Sequence, residues 1–166
     1  EVWLHDRSGE HLVYAVHLGA GRRVAPEDAP DVVLVAVPPA QVRSVISGLA
    51  TTYLNATFTD VSSVKTQPVH DVETIEAVRG RFVGGHPMAG RETTGPLGAR
   101  SDLFVDRPWI LTPTPDVHPA RVEQVRELAE ACGAVVSTMT AEEHDRAVAL
   151  TSHTPQLLAS LMAGLI

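Results

Sequence analysis

Apolar runs and amphipathic stretches alternate along the whole chain, and that alternation sets the expected fold class. A short apolar run at 2–5 reads as a strand, and a weaker helical stretch over 10–18 stops at Gly19. The run VVLVAV at 32–37 is apolar without alternation, the pattern of a parallel strand buried on both faces. Pro38 and Pro39 end it, and Val42, Val45, Ile46 and Leu49 then fall at helical spacing. Residues 57–61 give the next strand and 65–78 a helix, before a strand at 81–84 that runs into Gly85-His86-Pro87. From 87 to 107 periodicity is lost among Gly90, Gly95, Pro96 and Gly98, which predicts a long loop of the lid or binding type. A strand at 109–111 leads to a helix face formed by Val122, Val125, Leu128, Ala129 and Cys132, closed by Gly133. After a strand at 134–137, Thr140 and Glu143 form a capping box that starts a helix reaching about 150. Thr154 and Pro155 open a final apolar stretch over 156–166.

This order predicts an α/β domain over 1–150, a doubly wound parallel sheet with helices on both faces. The last stretch is different. Leu157, Leu158, Leu161, Met162, Leu165 and Ile166 cover too much of a helix for a surface position. Residues 151–166 are therefore expected to begin a second, all-helical domain.

Composition narrows the function classes. The 166 residues are 44% apolar, enough to bury a core, and the formal charge is −7. That charge argues against nucleic acid and against a polybasic membrane anchor as partners. No apolar run is long enough to span a bilayer, and the single cysteine, Cys132, fits a reducing compartment, so a cytoplasmic location is expected. Of 13 basic residues only Lys65 is a lysine, and the chain opens without Met directly on a strand-like run. A piece of a longer polypeptide is expected.

Candidate chemistry falls at strand ends. Asp6 follows the first strand, where a carboxylate can accept both ribose hydroxyls of a dinucleotide and so favour NAD over NADP. Arg7 beside it could meet a 2′-phosphate, which keeps NADP open. Val37, Pro38 and Pro39 stiffen the next strand end beside any ligand. Ser62 and Ser63, in the junction DVSSVK at 60–65, could donate to a polar ligand or simply cap the helix. His86, flanked by glycines in GGHPMAG at 84–90, is placed on a rigid strand tip with open space around it and suits proton acceptance. His153, next to Ser152, precedes a helix N-terminus able to hold a carboxylate. The remaining histidines, His5, His11, His17, His70, His118 and His144, show no ligand spacing and are expected at the surface, and no metal site is predicted.

DVSSVK, GGHPMAG, WILTPT at 109–114, EEHD at 142–145 and SHTP at 152–155, in this order, resemble the prephenate/arogenate dehydrogenase family of tyrosine biosynthesis. The resemblance runs from about residue 1 to the end, and GGHPMAG followed by Glu92 and Gly95 is its most specific part. It implies a Rossmann-type domain followed by an all-helical dimerisation domain, hence a homodimer. It implies NAD(P)-dependent oxidative decarboxylation of prephenate to 4-hydroxyphenylpyruvate, or of arogenate to tyrosine. His86 matches the catalytic histidine that hydrogen-bonds the ring hydroxyl, Ser63 the serine beside it, and Glu92, Ser152 and His153 the substrate region. Gln156 stands where many members carry another histidine.

Against that pattern, the first strand, its glycine-rich loop and most of the helical domain are missing. The strand at 2–5 and the strand at 57–61 would then have nothing between them, and the segment alone is expected neither to fold well nor to turn over. Two other readings share some of these features. A different Rossmann dehydrogenase acting on a hydroxy or imino acid would use Asp6 and the Val37-Pro38-Pro39 junction without needing His86. A non-catalytic nucleotide-binding module would keep the fold alone.

Overall fold

A computed structural model describes residues 1–90 and 95–150. The elements run β1 (Trp3–Leu4), α1 (Gly9–His17), β2 (Arg22–Arg23), β3 (Val32–Val35), α2 (Pro39–Leu49), β4 (Thr57–Asp60), α3 (Thr66–Glu73), β5 (Phe82–Pro87), β6 (Pro108–Pro113), α4 (Pro119–Ala131), β7 (Val135–Thr138) and α5 (Ala141–Val148). Local chemistry accounts for most boundaries. Ser8 caps α1 by accepting from the His11 amide, and Pro39 and Pro119 occupy first-turn positions of α2 and α4 where no backbone donor is lost. Thr140 and Glu143 form the expected capping box of α5, and Gly133 takes φ 83° beyond the end of α4.

Strands β3 to β7 form one five-stranded sheet in sequence order, while β1 and β2 pair in a separate parallel two-stranded sheet. The α/β class is as expected, with two departures. Strand β6 runs antiparallel to β5, pairing Gly84 with Thr112 and His86 with Ile110, so the sheet is mixed. The strand at 57–60 is flanked by β3, with Val32 opposite Thr57, so the break in the sheet lies between the β1–β2 pair and β3. Among the described residues β3 is an edge of the five-stranded sheet, and its run is not buried on both faces as expected. Leu34 is 40% exposed and only Val35 of this strand is buried.

Helices cover both faces. Val42, Ile46, Val69 and Val72 of α2 and α3 pack with Phe58 and Phe82 on one face, joined by Ala141 of α5. Val125 and Ala129 of α4 pack with Val83, Trp109 and Leu111 on the other. Period-2 alternation therefore puts Phe82, Gly84 and His86 on the α3/α5 face and Val83 and Gly85 on the α4 face. Arg81 closes the opposite end of the sheet: its guanidinium donates to the carbonyls of Ala50, Tyr53, Ala56 and Ala77 and lies over the Phe58 ring at 5.4 Å.

The carbonyls of Ala50, Tyr53 and Ala56 lie between α2 and β4 and that of Ala77 in the turn before β5, and they have no other side-chain donor among the described residues. Arg81→Met should keep the apolar stem and lose the donors, lowering stability by about 2 kcal/mol. Urea denaturation of the full-length protein measures this, and a loss under about 0.5 kcal/mol would contradict the assignment.

Candidate functional site

The carboxyl ends of β4 and β5 lie side by side, with Phe58 opposite Phe82 and Thr59 opposite Val83. Asp60 ends β4, and the chain then loops through Val61-Ser62-Ser63-Val64 into Lys65 at the head of α3. Lys65 turns back into the protein. Its side chain is fully buried, and its ammonium donates to both Asp60 carboxylate oxygens, at 2.7 and 2.6 Å, and to the Gly85 carbonyl at 2.7 Å. Asp60 also accepts from the amides of Ser62 and Gly85, each at 3.1 Å. Burial draws the Lys65 pKa below the ordinary lysine value, with Asp60 pulling the other way.

The two glycines before His86 serve this packing. A Cβ on Gly84 would strike the Thr112 hydroxyl and come within 3.1 Å of Val69, and one on Gly85 would sit 2.6 Å from the Asp60 carbonyl. The glycines therefore admit α3, the 60–65 loop and Trp109 against the strand. They do not open space: His86 is only 8% exposed, which corrects the expectation of a roomy strand tip.

His86 is met by a second histidine. Its Nδ1 lies 2.8 Å from Nε2 of His144, and Nδ1 of His144 lies 2.8 Å from Asp145 Oδ1. The rings meet edge to face at 66°. Asp145 also accepts from the backbone amides of Lys65, at 2.8 Å, and Thr66, at 2.9 Å. His144 is fully buried, against the surface position expected for it. The missed signal was periodicity: Ala141, His144 and Val148 form the buried stripe of α5. The choice of Ser62 or Ser63 as helix cap is also corrected, since Asp145 supplies the cap from 80 residues away.

Burial, reinforced by His144 and by the Lys65 ammonium, pushes the His86 pKa down to about 4, against the pull of Asp60 and Asp145. His86 is thus neutral near pH 7, and no described residue hydrogen-bonds its Nε2. For Asp145, burial works upward but is outweighed by its bonds to Thr66, His144 and the Lys65 amide, leaving it at about 2. The Ser62 hydroxyl is buried without a partner, whereas Ser63 is exposed on the same loop and makes no hydrogen bond to His86. Val37, Pro38 and Pro39 follow the carboxyl end of β3, next along the same edge. Asp6 and Arg7 follow β1 in the separate two-stranded sheet, both exposed, with Asp6 accepting from the Ser8 amide at 2.7 Å. Glu92, Ser152 and His153, with all of 151–166, lie outside the described residues. Among the described residues no group of acidic, histidine or cysteine side chains is arranged to hold a metal, and no helix is long and apolar enough to cross a membrane.

An α/β domain with helices on both faces of its sheet and polar side chains gathered at the carboxyl ends of its parallel strands is of the Rossmann-type class. Residues 1–138 match the family described as prephenate dehydrogenase, nucleotide-binding domain, and the chain belongs to that family. It is 38% identical over 162 residues to the probable prephenate dehydrogenase NovF of Streptomyces niveus, covering 98% of this chain and 45% of that protein. The crystal structure of prephenate dehydrogenase from Aquifex aeolicus superposes with a TM-score of 0.90 at 31% identity, covering 99% of this chain and 61% of that one. The same enzyme in complex with hydroxyphenyl propionate and NAD+ gives 0.89 at 31% identity, covering 99% of this chain and 59% of that one. The chain thus spans under half of its NovF relative and about three-fifths of the crystallised enzyme.

Two outcomes follow from this geometry. A guanidinium has no room at the fully buried Lys65 Nζ, so Lys65→Arg should destabilise the full-length protein by about 1–3 kcal/mol. Lys65→Met, which strands the Asp60 carboxylate, should cost about 3–5 kcal/mol. Thermal or urea melts read both, and wild-type stability in either variant would refute the buried pair. His86 titrates at about 4 when folded and near about 6.5 when unfolded. Its contribution is therefore complete above about pH 6.5 and is lost as pH falls toward 4. Between pH 7 and 4.5, wild type should lose stability more steeply than His86→Phe in parallel urea titrations, and equal slopes would contradict the depressed pKa.

Proposed function

We propose that the full-length protein carrying this domain is an NAD-dependent dehydrogenase that oxidatively decarboxylates prephenate to 4-hydroxyphenylpyruvate, with arogenate to tyrosine as the alternative substrate. The observation that carries the reading is His86, neutral, held by His144 at Nδ1, with its Nε2 hydrogen-bonded by none of the described residues. Membership of the prephenate dehydrogenase family supports the substrate class, and the NAD+ complex of the Aquifex aeolicus enzyme supports the cofactor.

The residues present fit a dinucleotide. The buried Ser62 hydroxyl has no partner among the described residues, as a ligand-facing group would, and Val37, Pro38 and Pro39 stiffen the adjoining strand end. Asp6 would accept the ribose hydroxyls, favouring NAD, with Arg7 alongside. NAD, when bound, supplies the acceptor for the hydride from the ring carbinol. His86 Nε2 accepts the hydrogen bond of that hydroxyl and takes up its positive charge as the carbon–hydrogen bond breaks. The electron pair released with carbon dioxide returns through the ring to oxygen, and the proton returns with it as the ring becomes a phenol. Proton loan and positioning are then the protein's main contributions, and aromatisation makes the step downhill. Ser63, on the loop beside His86, is assigned to orient the hydroxyl, and Glu92, Ser152 and His153 to hold the substrate's carboxylates and side chain. A homodimer formed through the helical region after residue 150 and a cytoplasmic location belong to the same proposal. The family resemblance supports the first, and the single cysteine and lack of a membrane-crossing helix among the described residues support the second.

In the full-length protein, His86→Ala should lower kcat for prephenate about 10²–10⁴-fold with the dissociation constant for NAD unchanged. Steady-state assays with prephenate and arogenate, beside calorimetric NAD titration, provide the check. Full activity in the variant would point to another dehydrogenase reaction, and NAD binding without turnover of either substrate by wild type would favour a non-catalytic module.

A further inference from the structure

We propose that His144 and Asp145 are positioning residues that fix the tautomer of His86, so that its Nε2 carries the lone pair needed for proton acceptance. This deepens the preceding reading and rests on it for its catalytic consequence.

The direction of each hydrogen bond follows from the one before. Asp145 is anchored at the start of α3, where it accepts from the Lys65 and Thr66 amides. The unsatisfied N–H groups and partial positive charge of a helix start favour the carboxylate form there. A carboxylate can only accept, so His144 Nδ1, 2.8 Å from Oδ1, must be the donor. With a neutral ring, His144 Nε2 is then an acceptor. His86 Nδ1, 2.8 Å away, must in turn donate to it. A neutral His86 that is protonated at Nδ1 has a bare Nε2. Without a partner at Nδ1, a neutral imidazole is free to place its proton on Nε2, where it could only donate to a substrate hydroxyl.

The charged groups facing the His86–His144 pair are consistent with this order. Asp145 of α5 stands at the far end of His144, while the Lys65 ammonium and Asp60 carboxylate sit behind His86 and bond one another. A proton added to His144 would turn its Nε2 into a donor. It would reverse the bond to His86 and leave the proton of a neutral His86 on Nε2, disabling it as an acceptor. The relay thus has one productive protonation state, and Asp145 orients it from the opposite end.

The test reads the tautomer directly. In the full-length protein labelled with ¹⁵N-histidine, long-range ¹⁵N–¹H correlation at pH 7 without substrate should show both His86 and His144 protonated at Nδ1 and bare at Nε2. His86 protonated at Nε2, or His144 protonated on both nitrogens, overturns the proposal, and neither result depends on any variant folding or on the identity of the substrate. For catalysis, His144→Phe should lower kcat about 10²-fold with KM within about threefold, because the acceptor for Nδ1–H is lost. His144→Gln, whose side-chain carbonyl can accept that proton, should recover at least about tenfold of it. Equal losses in the two variants, or unchanged kcat in His144→Phe, would reduce His144 to a packing role. If wild type shows the expected tautomer yet oxidises neither prephenate nor arogenate, the relay stands and the substrate assignment fails.

Discussion

A single buried ammonium holds the functional edge of this domain together. Two charges as deeply buried as Lys65 and Asp60 are costly to remove from water, and such a pair persists only when its remaining donors and acceptors are satisfied. Here they are: three bonds leave the ammonium, and Asp60 takes two backbone amides as well. The partners come from the end of β4, the following loop and the residue before His86. These segments cannot move independently without breaking a charged bond in a dry interior, so the pair fixes the backbone of β5 at the point where position matters. Lysine suits the task because a point charge on a thin stem reaches three acceptors in a space too small for a planar guanidinium. In a chain that otherwise uses arginine for every cation, the exception marks the constraint.

The rest of the site is built outward from that anchor. Fixing Lys65 fixes the first turn of α3, whose amides are capped by Asp145 and not by a local side chain. The cap draws α5 onto the sheet, and with it His144, which then meets His86. Each step satisfies a polar group that the preceding one buried. Helix start, carboxylate, imidazole and imidazole form one continuous chain of bonds, and assembling the fold assembles the site.

How much of this was legible in the sequence depended on how local each cause was. The capping box at Thr140 and Glu143 and the terminal Gly133 are decided within a few residues, and both were readable. His86 and the 60–65 junction could be placed at adjoining strand ends because buried parallel strands present their carboxyl ends together. Strand direction was less accessible. The antiparallel course of β6 follows a connection whose described residues hold no crossover α-helix, and a six-residue strand looks the same in either direction. The two-residue β2 is too short to leave a pattern. Asp145 could not be recognised as the cap of a helix 80 residues earlier, and the local serines offered a plausible substitute. His144 shares the inward face of α5 with Ala141 and Val148, a local spacing that marks it as buried, whereas its partner His86 lies 58 residues away.

Two parts of the candidate site are held in different ways. Asp6 and Arg7 stand after β1 in the two-stranded sheet, while His86, His144, Asp145, Lys65 and Asp60 belong to the five-stranded sheet and the helices packed on it. Among the described residues no backbone ladder joins the two sheets. The carboxylate assigned to the ribose and the imidazole assigned to the hydroxyl are thus set by different packing. One depends on an exposed turn closed by its own Asp6–Ser8 bond, the other on a buried network that tolerates no vacancy. Exposed turns accept substitution at little cost in stability, whereas removing one partner from the buried network strands another. Substitution at the exposed Asp6–Arg7 turn is therefore expected to disturb the fold less than loss of any member of the His86–His144–Asp145 network.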